Sequence, residues 1–225
     1  MANHKIGFAC KWIDRPDQVD GIKPKDDCKQ YNTGSTTVAW LNRQTQDVAE
    51  QKLWDLMQQN IESTRKLVER VGALDEHFRM VRISSDILPV YTEPSWSYFW
   101  RRPDVLGYCE KHFQTVGDTA RQRGVRLSFH PGQFCVLASD SPDIVNRSIE
   151  EFEYHADMAR WMGYGKSFQD FKINVHIAGR AGPEGIRRAY CRLSPEARNT
   201  ITIENEENTW GLNDCLSISD MVPIE

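Results

Sequence analysis

Short apolar runs alternate with longer amphipathic stretches along this chain, and this alternation restricts the possible folds more than any other feature. The runs that predict strands are Lys5–Cys10, Phe78–Ser84, Val125–His130, Phe171–Ile177 and Thr200–Glu204. Strands that alternate with helices indicate βαβ units and a parallel sheet. Two architectures stay open at this point, a doubly wound open sheet and a closed barrel.

The stretches between these runs have the spacing of helices. Apolar residues recur at steps of three and four from Leu53 to Val71 and again from Val105 to Ala120. The second of these helices is predicted to end at Gly124. A third should begin at Ser141-Pro142, a fourth at Pro183, and a fifth should cover Leu212–Ser219.

The faces of the strands favour the barrel. In the third run, apolar residues at 125, 127 and 129 alternate with Arg126, Ser128 and His130, and the runs around residues 81, 173 and 201 alternate in the same way. Strands of an open sheet covered on both sides usually read as apolar throughout. We therefore predict an α/β fold of the (β/α)₈ TIM-barrel type, with about the first five βα units present. Residues 1–225 are expected to form a single incomplete barrel domain, in which Met221–Glu225 could begin a sixth strand.

Candidate metal ligands stand where these strands end. His130, His176 and Glu204 close the polar faces of the third, fourth and fifth strands, and Glu93 follows the second strand in a loop. Active sites of such barrels lie at the carboxyl ends of the strands. A single histidine there is more often structural, but three such groups at one level on successive strands favour a metal or catalytic site. A set of nitrogen and oxygen ligands suits Mn²⁺, Zn²⁺ or Fe²⁺. The remaining histidines, among them His155 within a helix, are interpreted as structural.

The segment after His130 predicts an exposed probe. Pro131 and Gly132 form a tight turn that would push Gln133 and Phe134 outward. An exposed amide beside an aromatic ring can enter a base stack. The competing interpretation is that Phe134 packs under the following helix, and the loop tryptophans Trp12, Trp96, Trp100 and Trp210 likewise fit either stacking or packing.

The composition excludes some classes of protein but does not by itself indicate a function. The six cysteines are scattered without a CxxC pair, which favours neither a disulfide framework nor a thiolate zinc site and makes a cytoplasmic setting the expectation. The opening MANHKIGFACKWI lacks an apolar run long enough for a signal peptide or a membrane span. The net charge of −4 excludes a general polycation, so any DNA binding would need a local basic surface.

Several blocks together resemble one known family. They are KIGFACKW, FRMVRISSDILP, LSFHPGQFCVLAS, NVHIAG and ITIENEENTW, and they resemble the UV-damage endonucleases from the first strand to the end of the chain. Endonuclease IV and the xylose-isomerase-like enzymes have the same barrel but lack this combination of blocks.

The resemblance implies a metal-dependent endonuclease that cleaves double-stranded DNA 5′ to UV photoproducts and other distorting lesions. It implies Mn²⁺, with Zn²⁺ or Mg²⁺ as alternatives, and up to three ions in a complete, monomeric enzyme without a membrane partner. His130, His176 and Glu204 would be catalytic metal ligands, and Gln133 and Phe134 the probe inserted at the lesion. Phe8 matches a position that contacts flipped bases, where the family often has tyrosine, and Lys11 and Trp12 are expected to contact DNA.

Two departures from the family pattern limit this expectation. The family usually has a histidine ligand where this chain has Glu93, and its remaining ligands lie on later strands. We therefore expect the chain alone to be inactive and poorly soluble unless a partner chain supplies the rest. The alternatives are an abasic-site endonuclease, a sugar isomerase on the same barrel, or a non-catalytic damage-binding remnant.

Overall fold

The computed structural model describes residues 4–13, 26–206 and 209–225. The chain divides inside its third strand into two compact units, Met1–Leu127 and Ser128–Glu225. Each unit is an α/β arrangement of parallel strands. That residues 1–225 behave as a single domain stays a prediction.

The first unit contains two complete strands and the start of a third. The strands are β1 (Phe8–Ala9), β2 (Met80–Arg82) and the first half of β3 (Arg126–Phe129), in that order in the sheet. β1 and β2 pair in parallel, with Phe8 beside Val81. Helices α1 (Val38–Leu41), α2 (Gln46–Gly72), α3 (Ser97–Trp100) and α4 (Pro103–Arg123) complete the unit, with 3₁₀ turns at Asp26–Tyr31, Glu76–Phe78 and Ser85–Ile87.

The core of the first unit lies where α2 meets α4. The predicted apolar faces are confirmed, because Leu53, Met57 and Val68 on α2 and Phe113 and Val116 on α4 are fully buried. α4 ends as expected at Gly124, whose φ of 64° is a left-handed conformation that favours glycine. The strands predicted from sequence extended further than the observed β1 and β2, and α1 and α3 were not predicted.

The second unit contains the rest of β3 with β4 (Lys172–His176) and β5 (Ile201–Glu204), again in sequence order and parallel. Helices α5 (Pro142–Trp161), α6 (Gly182–Tyr190), α7 (Pro195–Thr200) and α8 (Leu212–Leu216) follow the predicted order except for α7. Beside β5, Ile224 forms a parallel bridge with Ile203, in the segment where a sixth strand was expected.

Thr200 corrects one strand prediction. The alternation in Thr200–Glu204 predicted a strand from Thr200, whereas Thr200 is the last residue of α7 and its hydroxyl donates to the carbonyl of Glu196. α7 forms because Ser194 caps it and Pro195 occupies its first turn. The Glu153 carboxylate accepts hydrogen bonds from both the backbone N–H and the hydroxyl of Ser194, at 2.6 and 2.7 Å, which fixes that cap to α5.

The register of β4 and β5 places their polar side chains side by side. His176 lies beside Glu204, and two residues earlier Asn174 lies beside Thr202. Because side chains alternate between the faces of a strand, these four point to the same side of the sheet. Asn174 and Thr202 are buried, and His176 and Glu204 are half-buried at the carboxyl ends of their strands. The predicted polar inner face is therefore observed here.

Candidate metal centre

Three side chains from successive strands meet at one point in the second unit. The Nε2 atom of His130 lies 2.8 Å from Oε1 of Glu204, and Nε2 of His176 lies 3.1 Å from the same oxygen. The three ligand atoms all lie within 4.8 Å of one another, and each residue is half-buried. The predicted convergence of His130, His176 and Glu204 is what the structure shows.

The other nitrogen of each imidazole faces a backbone carbonyl. Nδ1 of His130 lies 2.9 Å from the Pro131 oxygen, and Nδ1 of His176 lies 3.2 Å from the Asn205 oxygen. A carbonyl oxygen only accepts hydrogen bonds, so each Nδ1 must carry a proton. In neutral imidazoles this leaves the lone pair of Nε2 directed at Glu204. Metal-bound histidines are usually oriented in this way by their second nitrogen.

Three atoms with lone pairs thus surround a common point. Two bare Nε2 atoms and a carboxylate oxygen repel one another unless positive charge lies between them, either as protons or as a cation. Two imidazole nitrogens and one carboxylate oxygen are donors that Mn²⁺, Zn²⁺ and Fe²⁺ accept. The residues therefore fit a divalent metal by the chemistry of their donors.

The surroundings keep Glu204 ionised. Its burial tends to raise its pKa, but its contacts with His130, His176 and Asn174 outweigh this effect and lower the pKa. The second carboxylate oxygen, Oε2, accepts the hydrogen bond from Nδ2 of Asn174. Sequence reasoning did not assign a role to Asn174, although its place on the polar face of β4 was a usable signal.

The turn after β3 exposes the predicted probe. Gln133 is exposed and Phe134 is 85% exposed, so Phe134 does not pack under the following helix. A cleft of about 260 Å³ opens beside this turn and includes Gln133, His176 and Glu206 among its lining residues. Glu206 was not singled out from the sequence, although it lies only two residues after Glu204.

The loops that follow β3, β4 and β5 are locked together by close backbone contacts. Ala138 accepts a hydrogen bond from Ala181 N–H at 2.9 Å, and a Cβ added to Gly179 would lie 2.3 Å from the Ala138 oxygen. From the third loop, Trp210 donates its indole N–H to the Gly179 oxygen at 2.8 Å. Trp210 is therefore used in loop packing, and this interlock fixes the loops that flank all three candidate ligands.

The other predicted site residues lie in the first unit. Phe8 and Trp12 contact each other with ring centroids 5.4 Å apart, and the guanidinium of Arg70 lies 5.1 Å from the centroid of the Trp12 ring. Lys11 is exposed. Trp96 and Trp100 are buried, which is packing rather than a stacking surface.

Glu93 lies in the loop after β2, as expected. Its Oε1 accepts a hydrogen bond from the Ser95 hydroxyl at 3.3 Å, and its backbone N–H donates to the Val90 oxygen. Val90 adopts a φ of 54°, which is strained for a β-branched residue. The roles of Glu93 as a metal ligand and of Phe8, Lys11 and Trp12 as DNA contacts stay predictions.

Two whole-chain properties bear on the setting of this site. All six cysteines are free thiols. In the described parts of the chain, none of the helices combines the length and apolar character needed to cross a bilayer.

Comparison with known proteins identifies relatives that match most of the chain. A UV DNA damage endonuclease from Clostridium perfringens is 27% identical over 199 residues, and the match covers 85% of this chain and 46% of that protein. One from Bacillus cereus is 27% identical over 197 residues, and the match covers 85% of this chain and 58% of that protein. The chain thus spans about half the length of the curated relatives it matches.

A solved structure and a family model complete the comparison. The crystal structure of SacUVDE superimposes with a TM-score of 0.75 at 20% identity, and the match covers 98% of this chain and 68% of that one. The expected fold of the TIM-barrel type, with five βα units in this chain, is confirmed. The family model described as UV-endonuclease UvdE matches residues 18–224, so this chain belongs to the UV-endonuclease UvdE family.

Proposed function

We propose that this chain carries three metal ligands, His130, His176 and Glu204, of a DNA repair endonuclease, which hydrolyses the phosphodiester 5′ to UV photoproducts and other distorting lesions. The observation that carries the proposal is the meeting of Nε2 of His130, Nε2 of His176 and Oε1 of Glu204 at one point. Membership of the UvdE family supports damaged DNA as the substrate. The cleavage position comes from the family resemblance.

Divalent ions are the cofactor this site would hold. His130, His176 and Glu204 would bind them; this donor set suits Mn²⁺, Zn²⁺ or Fe²⁺, and the family resemblance favours Mn²⁺. When bound, such ions supply Lewis-acid stabilisation of the charge that develops on phosphate oxygens. In the complete protein we propose up to three ions, with Glu93 as a further ligand in place of the usual histidine.

The chain's own residues have separate tasks in this proposal. The backbone carbonyls of Pro131 and Asn205 hold the two imidazoles with Nε2 toward Glu204. The exposed Gln133 and Phe134 would enter the duplex at the lesion, where the ring can stack on bases and the amide can replace lost base-pair hydrogen bonds. Phe8, Lys11 and Trp12 are proposed as additional DNA contacts.

The test compares the wild-type protein with the Glu204→Gln variant, and both are produced from the full gene. Supercoiled plasmid, either UV-irradiated or untreated, is incubated with Mn²⁺ and scored for nicks. We expect nicking of irradiated plasmid only, its loss in Glu204→Gln, and retention of irradiated DNA by both proteins in a gel shift. The variant keeps the size of the side chain but lacks the negative charge that a cation needs.

Other outcomes would contradict the proposal in recognisable ways. Preferential nicking of depurinated plasmid would favour an abasic-site endonuclease, and sugar isomerisation would favour the isomerase. Lesion-selective retention that survives chelation, without any nick, would favour a damage-binding remnant. Unchanged nicking by Glu204→Gln would remove Glu204 from the site.

A further inference from the structure

The second oxygen of the Glu204 carboxylate is held by a buried amide. Asn174 lies on β4, the strand next to Glu204, and is 7% exposed. Its Nδ2 donates to Oε2 of Glu204, while Oε1 of the same carboxylate faces the two histidines. The two carboxylate oxygens therefore have different partners: Oε1 contacts the imidazoles and Oε2 contacts the amide.

The orientation of the amide follows from its two neighbours. An ionised carboxylate only accepts hydrogen bonds, so Asn174 must turn its nitrogen toward Glu204. Its oxygen then faces the hydroxyl of Thr202 at 3.1 Å, and this hydroxyl can donate. Thr202 has one hydroxyl proton and a second acceptor, Oε2 of Glu225, also at 3.1 Å. Thr202 is fully buried, so an amide oxygen left without its proton would be costly.

Packing alone gives no reason for an amide at this position. Asparagine is disfavoured in strands, and the apolar neighbours Ile173 and Val175 fill the opposite face of β4. A buried amide is tolerated when its donors and acceptors are satisfied, and here Glu204 and Thr202 satisfy one of each. The link therefore orients a candidate ligand rather than filling space.

We propose that Asn174, oriented by Thr202, is a positioning residue for the metal site, which holds Oε2 of Glu204 so that Oε1 is presented beside Nε2 of His130 and His176. This inference rests on the proposed function, because it requires that the three residues bind a divalent ion. Partners that orient metal ligands typically change metal affinity about 10- to 100-fold when they are removed.

The experiment measures Mn²⁺ affinity of the 225-residue chain from the loss of the free-ion electron paramagnetic resonance signal. Asn174→Ala should raise the dissociation constant by about 10- to 100-fold. Thr202→Val replaces the hydroxyl with a methyl group. It should raise the dissociation constant by a smaller factor, roughly several-fold, because Asn174 loses the hydrogen bond that orients it. Circular dichroism and thermal melting without metal report separately on folding.

Thr200→Val is the matched control. Thr200 is also fully buried, lies two residues before Thr202 and donates its hydroxyl to a helix carbonyl. This variant loses a comparable buried hydrogen bond but no link to Glu204, so its affinity for Mn²⁺ should stay within about twofold of the wild type while its melting temperature falls.

The outcomes separate the inference from the proposed function. If the wild type binds Mn²⁺ and folded Asn174→Ala and Thr202→Val bind it equally well, the positioning role is wrong and the metal site stands. If Asn174→Ala does not fold, the Mn²⁺ affinities of Thr202→Val and Thr200→Val are compared instead. Weaker binding by Thr202→Val alone supports the positioning role, and equal binding by the two variants contradicts it. If wild type and Glu204→Gln both fail to bind Mn²⁺, the proposed function is contradicted and the positioning role falls with it.

Discussion

His155 should make this protein lose stability in mild acid. The residue lies on α5 and is fully buried, and its Nδ1 donates to the Glu151 carbonyl at 2.7 Å. Among the described residues, Nε2 has no hydrogen-bond partner, and the ring packs edge-on against Phe129 with centroids 5.3 Å apart. Protonation would place a second N–H and a full charge at this buried position, where the Glu151 carboxylate lies 3.8 Å from Nδ1 but Nε2 faces no acceptor among the described residues.

The size of the effect follows from the pKa. Burial lowers the pKa of His155 from 6.5 to about 4, against the opposing hydrogen bond to Glu151. In the unfolded chain the group takes up its proton at higher pH than in the folded protein. The stability contribution is therefore complete above about pH 6.5 and is lost as the pH falls toward 4. With 1.36 kcal/mol per pKa unit, the total loss is about 3 kcal/mol, of which about 2 kcal/mol is lost by pH 5.

Urea unfolding at pH 7.5 and pH 5.0 measures this loss, with circular dichroism as the signal. His155→Phe and His155→Leu both remove the titrating nitrogen, so the wild-type loss should shrink by about 2 kcal/mol in each, whatever their stability at pH 7.5. Acid sensitivity that persists undiminished in both variants would show that His155 is not its source, and the argument from burial would be wrong.

Two further predictions concern backbone contacts and buried amides. Gly179→Ala combines a φ of 110° with a Cβ 2.3 Å from the Ala138 oxygen and should lower the free energy of unfolding by about 3 kcal/mol. Gly124→Ala has a φ of 64° but open space around the new Cβ and should lower it by only about 1 kcal/mol; equal losses of the two variants in urea unfolding would refute the clash. Asn60→Ala removes the side-chain amide that hydrogen-bonds the Gly34 N–H and backbone carbonyls, and it should lower the free energy of unfolding by about 2–4 kcal/mol in the same assay. A loss below about 1 kcal/mol would show that water replaces the amide.

The convergence of the three candidate ligands could be predicted because it depends on a local property. Alternation along a strand is set by the backbone, and the carboxyl ends of parallel strands meet at one edge. His130, His176 and Glu204 therefore needed no knowledge of tertiary contacts. The apolar face of α2 was predictable for the same reason, since a helical period is also local.

The role of Asn174 and the helix α7 were missed because both depend mainly on contacts between residues that are distant in the sequence. The hydrogen bond from Asn174 to Glu204 exists only in the observed register of β4 and β5, and a slip by one residue would turn one partner to the other face. Thr200 ends a helix although its neighbours alternate like a strand, because Glu153 on α5 fixes the Ser194 cap of α7. The Ser194-Pro195 pair was a local signal for this helix, and the alternation after it concealed the signal.

The direction of the imidazoles shows why candidate ligands alone do not define a metal site. His130 and His176 could equally have turned Nδ1 toward Glu204, and the choice is made by the Pro131 and Asn205 carbonyls in the loops that follow. Those loops are fixed by Gly179, where the backbone of Ala138 leaves no room for a Cβ. Because the Pro131 and Asn205 carbonyls belong to those loops, we expect Gly179→Ala to weaken Mn²⁺ binding as well as folding without touching any candidate ligand, which a Mn²⁺ titration of the folded variant would measure. The strands bring the donor atoms together, and the loops determine which of their lone pairs would face a bound ion.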